Sequence, residues 1–135
     1  MALLYLLDTN ICIYIAKQRP PAAARRFADL AAGTVGMSLI TSGELRFGAE
    51  KSTRRDETLA ALVRLNELIP VIELGANVGE AYGVLRAQME RAGTPVGNND
   101  LWIAAHAISL GVTLVSNNTR EFARVPGLAL ENWAN

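Results

Sequence analysis

Short apolar runs alternate with longer segments of helical spacing along the chain. The first run, Leu3 to Leu7, holds five apolar residues, too few for a helix of ordinary length and typical of a strand buried on both faces. Further short runs of this kind cover Val35 to Ile40, Pro70 to Leu74, Val112 to Ser116 and Leu128 to Leu130. The pattern therefore predicts about five short strands.

The segments between these runs have apolar residues at the spacing of helices. Helices are predicted from Asp8 to the Arg19-Pro20-Pro21 stop, from Pro21 to Ala31, from Leu45 onward, from Arg54 to Leu68, from Gly75 to Arg91, and from Gly97 to Gly111, with one possible helical turn in 117–122. Alternating strands and helices favour a parallel sheet between two helical layers. We therefore expect a three-layer α/β/α fold with a roughly five-stranded, mainly parallel sheet, in one domain spanning residues 1–135.

Composition narrows the setting in which this chain works. The 13 basic and 13 acidic side chains balance, so contact with nucleic acid must depend on a local patch. Cys12 is the only cysteine, which excludes a disulfide framework and a thiolate metal site and suits a reducing compartment. The sequence contains no apolar run of the roughly 20 residues that span a bilayer. We expect a cytoplasmic protein.

Polar residues follow the predicted strands at four junctions with helices. These residues are Asp8, Glu44, Asp100 and the pair Asn117-Asn118. Parallel strands end at one edge of a sheet, so side chains at those ends can converge despite their separation in sequence. Crowded carboxylates are unfavourable unless they are protonated or share a cation. The pattern therefore predicts a site for a hard divalent ion, with Mg²⁺ as the expected occupant.

Each of these residues also has a local structural explanation. Asp8 is a suitable N-cap for the following helix, and Thr41-x-x-Glu44 matches a capping box. Asp100 lies at a helix start, where the helix dipole stabilises a carboxylate by about 0.3–1 kcal/mol. Asn117 and Asn118 are common turn formers. The sequence alone leaves these alternatives open, although their recurrence at the same type of junction favours a shared site.

The motifs taken together resemble those of a known family. LLDTN at 6–10, GE at 43–44 with GAEKS at 48–52, GNNDLWIAAHA at 97–107 and NNTREF at 117–122 occur in the order found in PIN-domain ribonucleases, and the chain is similar, nearly end to end, to VapC toxins of VapBC toxin–antitoxin modules. The resemblance implies a metal-dependent endoribonuclease that is a homodimer inhibited by a VapB-type antitoxin.

The resemblance also implies roles for individual residues. Catalysis is assigned to Asp8, Glu44, Asp100 and Asn118, with the three acids as ligands of Mg²⁺ or of Mn²⁺ in its place. Supporting contacts around them are assigned to Thr9, Asn10, Ser116, Asn117 and Glu121. Many PIN domains carry a fourth acid where this chain has Asn118, so we expect one well-occupied Mg²⁺, with Glu121 as a possible source of the missing charge.

The substrate implied by the resemblance is structured RNA, and tRNA in particular. Cleavage in the anticodon region of initiator tRNA would inhibit translation until the antitoxin binds. Phosphate contacts are expected from exposed cations, which are Arg46, Arg86, Arg91 and Arg120, with Lys51, Arg54 and Arg55 as further candidates.

Three other functions are compatible with parts of the pattern. A haloacid-dehalogenase phosphatase also begins with a strand that ends in Asp, but Asn10 stands where its second acid is needed. A phosphate-receiver domain would need an acid pair before Asp8 and a lysine after the strand at Ser116. A PIN-like module that binds RNA or a protein without cutting remains an alternative. His106, the only histidine, lies within an apolar helix and is expected to be structural.

Overall fold

The computed structural model describes residues 2–135 of the chain. Its strands are β1 (Tyr5–Leu7), β2 (Val35–Ser38), β3 (Val71–Ile72), β4 (Thr113–Val115) and β5 (Leu130–Glu131). Its helices are α1 (Thr9–Lys17), α2 (Pro21–Ala28), α3 (Leu39–Glu50), α4 (Arg55–Leu68), α5 (Ala76–Ala92), α6 (Asn98–Leu110) and α7 (Thr119–Phe122).

The five strands form one parallel sheet in the order β3-β2-β1-β4-β5. Leu7 of β1 is in register with Met37 of β2 and with Val115 of β4, so the residues that follow these three strands lie at the same level. From β1, the strands β2 and β3 extend the sheet in one direction, and β4 and β5 extend it in the other. Such a reversal opens a crevice at the carboxyl edge of a parallel sheet, which is the usual position of a ligand site in α/β folds.

Helices cover both faces of the sheet, as expected when strands and helices alternate along the chain. Leu6 points into a core formed with α5, α6 and α7, whereas Leu7 points into a second core formed with α1 to α4. Both side chains are fully buried. The predicted three-layer α/β/α fold is therefore confirmed, and the sheet is entirely parallel.

All five strands differ in their bounds from the sequence prediction, and β3, β4 and β5 are each shorter than the predicted run or displaced from it. β1 begins at Tyr5 and not at Leu3, and Leu4 is half exposed. β2 ends at Ser38, because the Ser38 hydroxyl caps α3 by accepting the backbone N–H of Ile40 at 3.1 Å. Ile40, predicted to close the strand, therefore lies in the first turn of the helix, because a side-chain cap outweighs the strand preference of one β-branched residue.

Turn chemistry ends the longer helices where the sequence indicates. Gly93 and Gly111 terminate α5 and α6 in the left-handed conformation, each with φ of 69°, which a glycine adopts without strain. In the described part of the chain, no helix combines the length and apolar character needed to cross a membrane.

Candidate active site

Asp8 is the first residue beyond β1 and is almost completely buried. Its carboxylate accepts the backbone N–H of Ile11 at 3.0 Å, and so caps α1, and it also accepts a hydrogen bond from the Ser116 side chain. Burial raises the pKa of Asp8, and the negative charge of Glu44 raises it further, against the opposing effect of these hydrogen bonds. Asp8 thus caps a helix and also carries a charge that its surroundings disfavour.

α3 begins at Leu39 and not at the predicted Leu45, so Glu44 lies in the second turn of the helix and not at its junction with the strand. Its side chain points toward α1 and α6. The Thr9 hydroxyl donates to its Oε1 at 2.5 Å, and the Asn99 amide approaches its Oε2 at 3.4 Å. The capping-box alternative is therefore wrong: Ser38 caps α3, while Thr41 is buried inside the helix. Residues of two neighbouring helices hold Glu44, and Glu44 does not cap its own helix.

Asp100 occupies the first turn of α6, two residues after Asn98 opens the helix. The element before α6 is helix α5 and not a strand, so the prediction that Asp100 follows a strand is wrong. Its pKa is raised to about 6, first by burial and then by the negative charges of Glu121, Glu44 and Asp8. The dipole of the helix acts in the opposite direction, stabilising a carboxylate by about 0.3–1 kcal/mol. Because the pKa nevertheless rises, burial and the neighbouring negative charges together outweigh the helix dipole at Asp100.

Glu121 supplies a fourth carboxylate beside Asp100. Its Oε1 accepts the backbone N–H of Gly97 at 2.9 Å, and its Oε2 accepts the Asn118 side-chain amide at 2.7 Å. Glu121 Oε1 and Asp100 Oδ2 lie 3.6 and 3.8 Å from the point where a Cβ on Gly97 would stand. The two acids therefore flank the start of α6, and Asn118 turns its donor nitrogen toward Glu121.

The other residues predicted to support the site differ in whether they contact the acids. Ser116 is fully buried and accepts the Asn118 backbone N–H at 2.9 Å, so it links the end of β4 to Asp8. The Asn10 backbone N–H lowers the pKa of Asp8, while its side chain is exposed. The Asn117 amide donates to the Tyr14 hydroxyl at 2.7 Å and so anchors the loop to α1. Asn117 thus contacts the helix and not the acids.

The four acids form an oxygen-only cluster without a ready-made set of ligands. Among residues 2–135, no three carboxylate, imidazole or thiol groups are gathered so that they could hold one ion. The Thr9 hydroxyl engages Glu44 and the Asn118 amide engages Glu121, so each of these acids has a protein partner. Mg²⁺ commonly takes one or two carboxylates and keeps several waters, so the donor chemistry of the cluster fits this ion.

His106 does not face the acids. It is fully buried, with Nδ1 2.8 Å from the Ser38 hydroxyl and Nε2 3.1 Å from the Glu73 carbonyl oxygen. Burial lowers its pKa, so the ring is neutral, with Nε2–H donating to Glu73 and Nδ1 accepting from Ser38. Because both nitrogens are satisfied in the core, His106 is a structural residue.

The cations proposed for phosphate contact are scattered over the surface. Arg46 pairs with Glu50, and Arg86 pairs with Glu90 while also donating to the Tyr82 hydroxyl at 2.9 Å. The remaining two, Arg91 and Arg120, are exposed. Arg120 precedes Glu121 directly and is thus the candidate nearest in sequence to the acids.

A groove of about 780 Å³ lies between α1, α3 and α4, and Thr9 and Glu44 are among its lining residues. Its walls are mostly apolar, and charged side chains line other parts of it. The apolar wall residues are Ile13, Ala16, Leu45, Ala49, Ala60, Ala61, Leu62 and Leu65, and the charged residues beyond Glu44 are Lys17, Arg54, Glu57 and Arg64.

Sequence reasoning overlooked the contact that Asn99 makes with Glu44. In the sequence, the Asn98-Asn99-Asp100 run indicates a polar helix start in which only the acid carries chemistry. Asn99 and Glu44 are 55 positions apart, so no local pattern connects them. Two successive amides directly before a candidate acid were the available signal, because neutral donors are suited to hold a neighbouring carboxylate.

Comparison with known proteins identifies close relatives. The PIN domain family matches residues 5–128. The chain is 42% identical over 130 residues to the tRNA(fMet)-specific endonuclease VapC of Shigella flexneri, covering 96% of this chain and 98% of that protein. It is 39% identical over 132 residues to ribonuclease VapC2 of Rickettsia felis, covering 97% and 98%. The crystal structure of VapBC2 from Rickettsia felis bound to a promoter DNA fragment matches with a TM-score of 0.90 at 38% identity, covering 98% of this chain and 99% of that one.

Proposed function

The chain belongs to the PIN-domain family and to its VapC ribonucleases, and from this membership we propose that it is a toxin that hydrolyses phosphodiester bonds in tRNA with the help of Mg²⁺. One observation carries the proposal. Asp8, Glu44 and Asp100 come from three separate segments, yet the charges of the other two, together with that of Glu121, bear on Asp100. A core position would not bring four acids together, whereas a bound cation offsets their repulsion.

Asp8 and Asp100 would hold the metal, with Glu121 as the third acid on the side of α7. Asn118 acts mainly through Glu121, because its amide nitrogen faces the carboxylate and its oxygen alone remains for a cation or its water. A bound divalent ion supplies charge neutralisation at the scissile phosphate and a water of lowered pKa. Mn²⁺, which also suits oxygen donors, can substitute.

Glu44 is suited to orient the attacking water or to take its proton. Thr9 and Asn99 each engage one of its oxygens, which fixes the plane of the carboxylate and leaves lone pairs free on both. Ser116 and the backbone N–H of Ile11 hold the carboxylate of Asp8. These contacts would orient the proposed base and metal ligands before the RNA binds.

The substrate class follows from the relatives. The Shigella flexneri protein is named as specific for tRNA(fMet), and we extend this specificity to the present chain, with cleavage in the anticodon region. Loss of initiator tRNA would stop translation. This substrate also implies action in the cytoplasm. Exposed cations, including Arg120, would grip phosphates with an affinity that falls as salt rises.

The test is strand scission of purified tRNA by the isolated protein. With Mg²⁺ we expect discrete cuts, mapped by sequencing of the RNA ends, and with EDTA we expect none. Asp100→Asn should abolish the cuts, and the matched variant Asp56→Asn should retain them, because the Asp56 side chain is 96% exposed and pairs with Arg55 on α4. Cleavage that persists in EDTA or in Asp100→Asn would contradict the mechanism.

The same assay separates the remaining alternatives. A phosphatase would release inorganic phosphate from small phosphoesters and leave tRNA intact. A non-cleaving module would retain tRNA in a filter-binding assay without scission. Either outcome would replace the ribonuclease proposal.

The regulatory partner that we propose is a VapB-type antitoxin. The structural relative from Rickettsia felis is a VapBC complex, and the apolar groove that Thr9 and Glu44 help to line can hold an extended or helical peptide segment. Binding there would close one approach to the acids. We also expect the toxin to be a homodimer.

Co-expression with a VapB-type antitoxin tests the groove. Ala61→Glu places a charge on the apolar wall of the groove. This charge should weaken binding of the antitoxin, so that tRNA cleavage resumes in its presence. Val63→Glu is the matched control, since Val63 is 63% exposed and lies outside this groove. Equal antitoxin binding by both variants would place the partner elsewhere.

A further inference from the structure

The most exposed large hydrophobic side chain lies one helical turn from Glu44. Phe47 of α3 is 65% exposed, the highest value among the large apolar side chains of residues 2–135. Aromatic side chains of this size normally contribute their area to a core, and exposure forfeits that stabilisation. Two well-packed cores lie beneath α3 and neither uses Phe47. Its position therefore has no explanation in the stability of this chain.

Helical geometry places Phe47 on the same side of α3 as the candidate base. Residues three and seven positions apart share a face, so Glu44, Phe47 and Lys51 form one stripe along the helix. Glu44 is tied by Thr9 and Asn99 to the acidic cluster, which fixes the orientation of this face at the cleft. Phe47 therefore lies one turn beyond Glu44 on the side of α3 that Thr9 and Asn99 contact through Glu44.

Lys51 adds a cation to this side of α3. Its Nζ lies 4.9 Å from the centroid of the Phe47 ring. The nearby cations Arg46, Arg54 and Arg55 are each paired with an acid, whereas no ion pair within residues 2–135 engages Lys51. An ammonium group on one side of an exposed ring leaves the other side open for a planar group.

We propose that Phe47 and Lys51 form a stacking site for one unpaired nucleobase of the RNA, adjacent to the bond that is cut. The base stacks on the free face of Phe47, and Lys51 contacts the neighbouring phosphate. This combination of aromatic surface and cation is the usual means of holding a single strand without reading its sequence. The acidic cleft repels a phosphate chain, so an attractive contact at its border is needed to hold the strand in place.

This inference rests on the proposed ribonuclease function for its ligand, yet it can fail or succeed separately. The probe is a single-stranded RNA carrying 2-aminopurine at successive positions, bound to Asp100→Asn protein so that no strand is cut. Stacking on Phe47 should quench the fluorescence at one position. Phe47→Leu should remove the quench and weaken binding by about 10-fold, while Phe47→Trp should retain both.

Two further measurements distinguish stacking from a structural effect. In otherwise unchanged protein, Phe47→Leu should raise KM for tRNA and leave kcat within twofold. Lys51→Gln should reduce the slope of log affinity against log salt by about 0.7, the loss of one phosphate contact on a single strand. Val63→Ala, which shortens another exposed apolar side chain, should alter none of these quantities.

Unchanged quenching and affinity in Phe47→Leu would overturn the proposal. So would a Phe47→Leu protein that changes from dimer to monomer while its quenching persists, because Phe47 would then contact a second copy of the chain. If quenching depends on Phe47 but the unmodified protein cuts no RNA, the stacking site stands and the ribonuclease proposal fails.

Discussion

Replacement of Asp100 by Asn should stabilise the metal-free protein while it abolishes cleavage. The carboxyl group of Asp100 has a pKa of about 6 in the fold against an ordinary value of 3.8. A shift of about 2 units corresponds to roughly 3 kcal/mol at full strength. Asp100 is only half-buried, so solvent screening reduces this to roughly 1–2 kcal/mol. Loss of the helix-dipole contribution subtracts about 0.3–1 kcal/mol, which leaves a net gain of about 1 kcal/mol.

The sign of the pH dependence follows from proton binding. Between pH 4 and pH 6 the folded protein holds the Asp100 proton more tightly than the unfolded chain does, so its free energy of unfolding falls as pH rises through this window. The raised pKa of Asp8 acts in the same direction. Asp100→Asn removes the larger part of this dependence. Its advantage over the unmodified protein should be complete above pH 6 and disappear near pH 4.

Thermal unfolding in EDTA measures this effect. At pH 7.5 we expect Asp100→Asn to raise Tm by roughly 4 °C, from about 1 kcal/mol in a chain of this length. Addition of Mg²⁺ should raise Tm of the unmodified protein and leave Asp100→Asn unchanged. Asp56→Asn, on an exposed turn of α4, should change stability by less than about 0.5 kcal/mol. A metal-free Asp100→Asn protein that is less stable at pH 7.5 would refute the repulsion argument.

Three further predictions concern single residues of the site and the core. Asp8→Asn should abolish tRNA cleavage with little loss of stability, because Asn caps a helix as well as Asp, whereas Asp8→Ala should also lower the free energy of unfolding by about 1 kcal/mol; equal stability of the two would exclude the cap. Asn118→Asp replaces a donor with a charge facing Glu121, so calorimetry should show a lower Tm in EDTA and a larger Mg²⁺-induced rise; an unaltered Mg²⁺ response would place residue 118 outside the metal site. His106→Leu should cost roughly 2 kcal/mol by leaving Ser38 and the Glu73 carbonyl unpaired, with cleavage per folded molecule retained, and a loss of kcat would refute its structural role. Since burial lowers the pKa of His106, its contribution to stability should be complete above pH 6.5 and decline as pH falls, a dependence absent from His106→Leu.

Functional and structural constraints coincide at the carboxyl edge of the sheet. Asp8 caps α1 and is also the most buried acid of the cluster. For Asp8, the role of helix cap is therefore compatible with the proposed role of metal ligand. For Glu44, the sequence suggested a role in capping α3, but the structure shows that Ser38 caps this helix. Local motifs indicate what a residue can do, and several of these roles can be filled by one side chain.

The amino-acid sequence by itself determined the kind of each element, the layer order and the family. Apolar runs of three to five residues, glycine at the helix ends and acids after strands are local signals, and each depends on a few neighbouring residues. The same signals predicted one shared edge for Asp8, Glu44 and Asp100. Only Asp8 directly follows a strand, because Glu44 lies in the second turn of α3 and Asp100 in α6, which follows α5. The confirmed α/β/α fold follows from this local information.

Only the tertiary structure decided how the acids are held and what surrounds them. Thr9 and Asn99 reach Glu44 across 35 and 55 positions, and the Asn118 amide faces Glu121 and not open solvent. These contacts depend on strand register and on how three helices pack at one edge of the sheet. The hydrophobic periodicity of the sequence does not predict them. The raised pKa of Asp100 has the same origin, because burial and the fields of distant carboxylates exist only after the chain has folded.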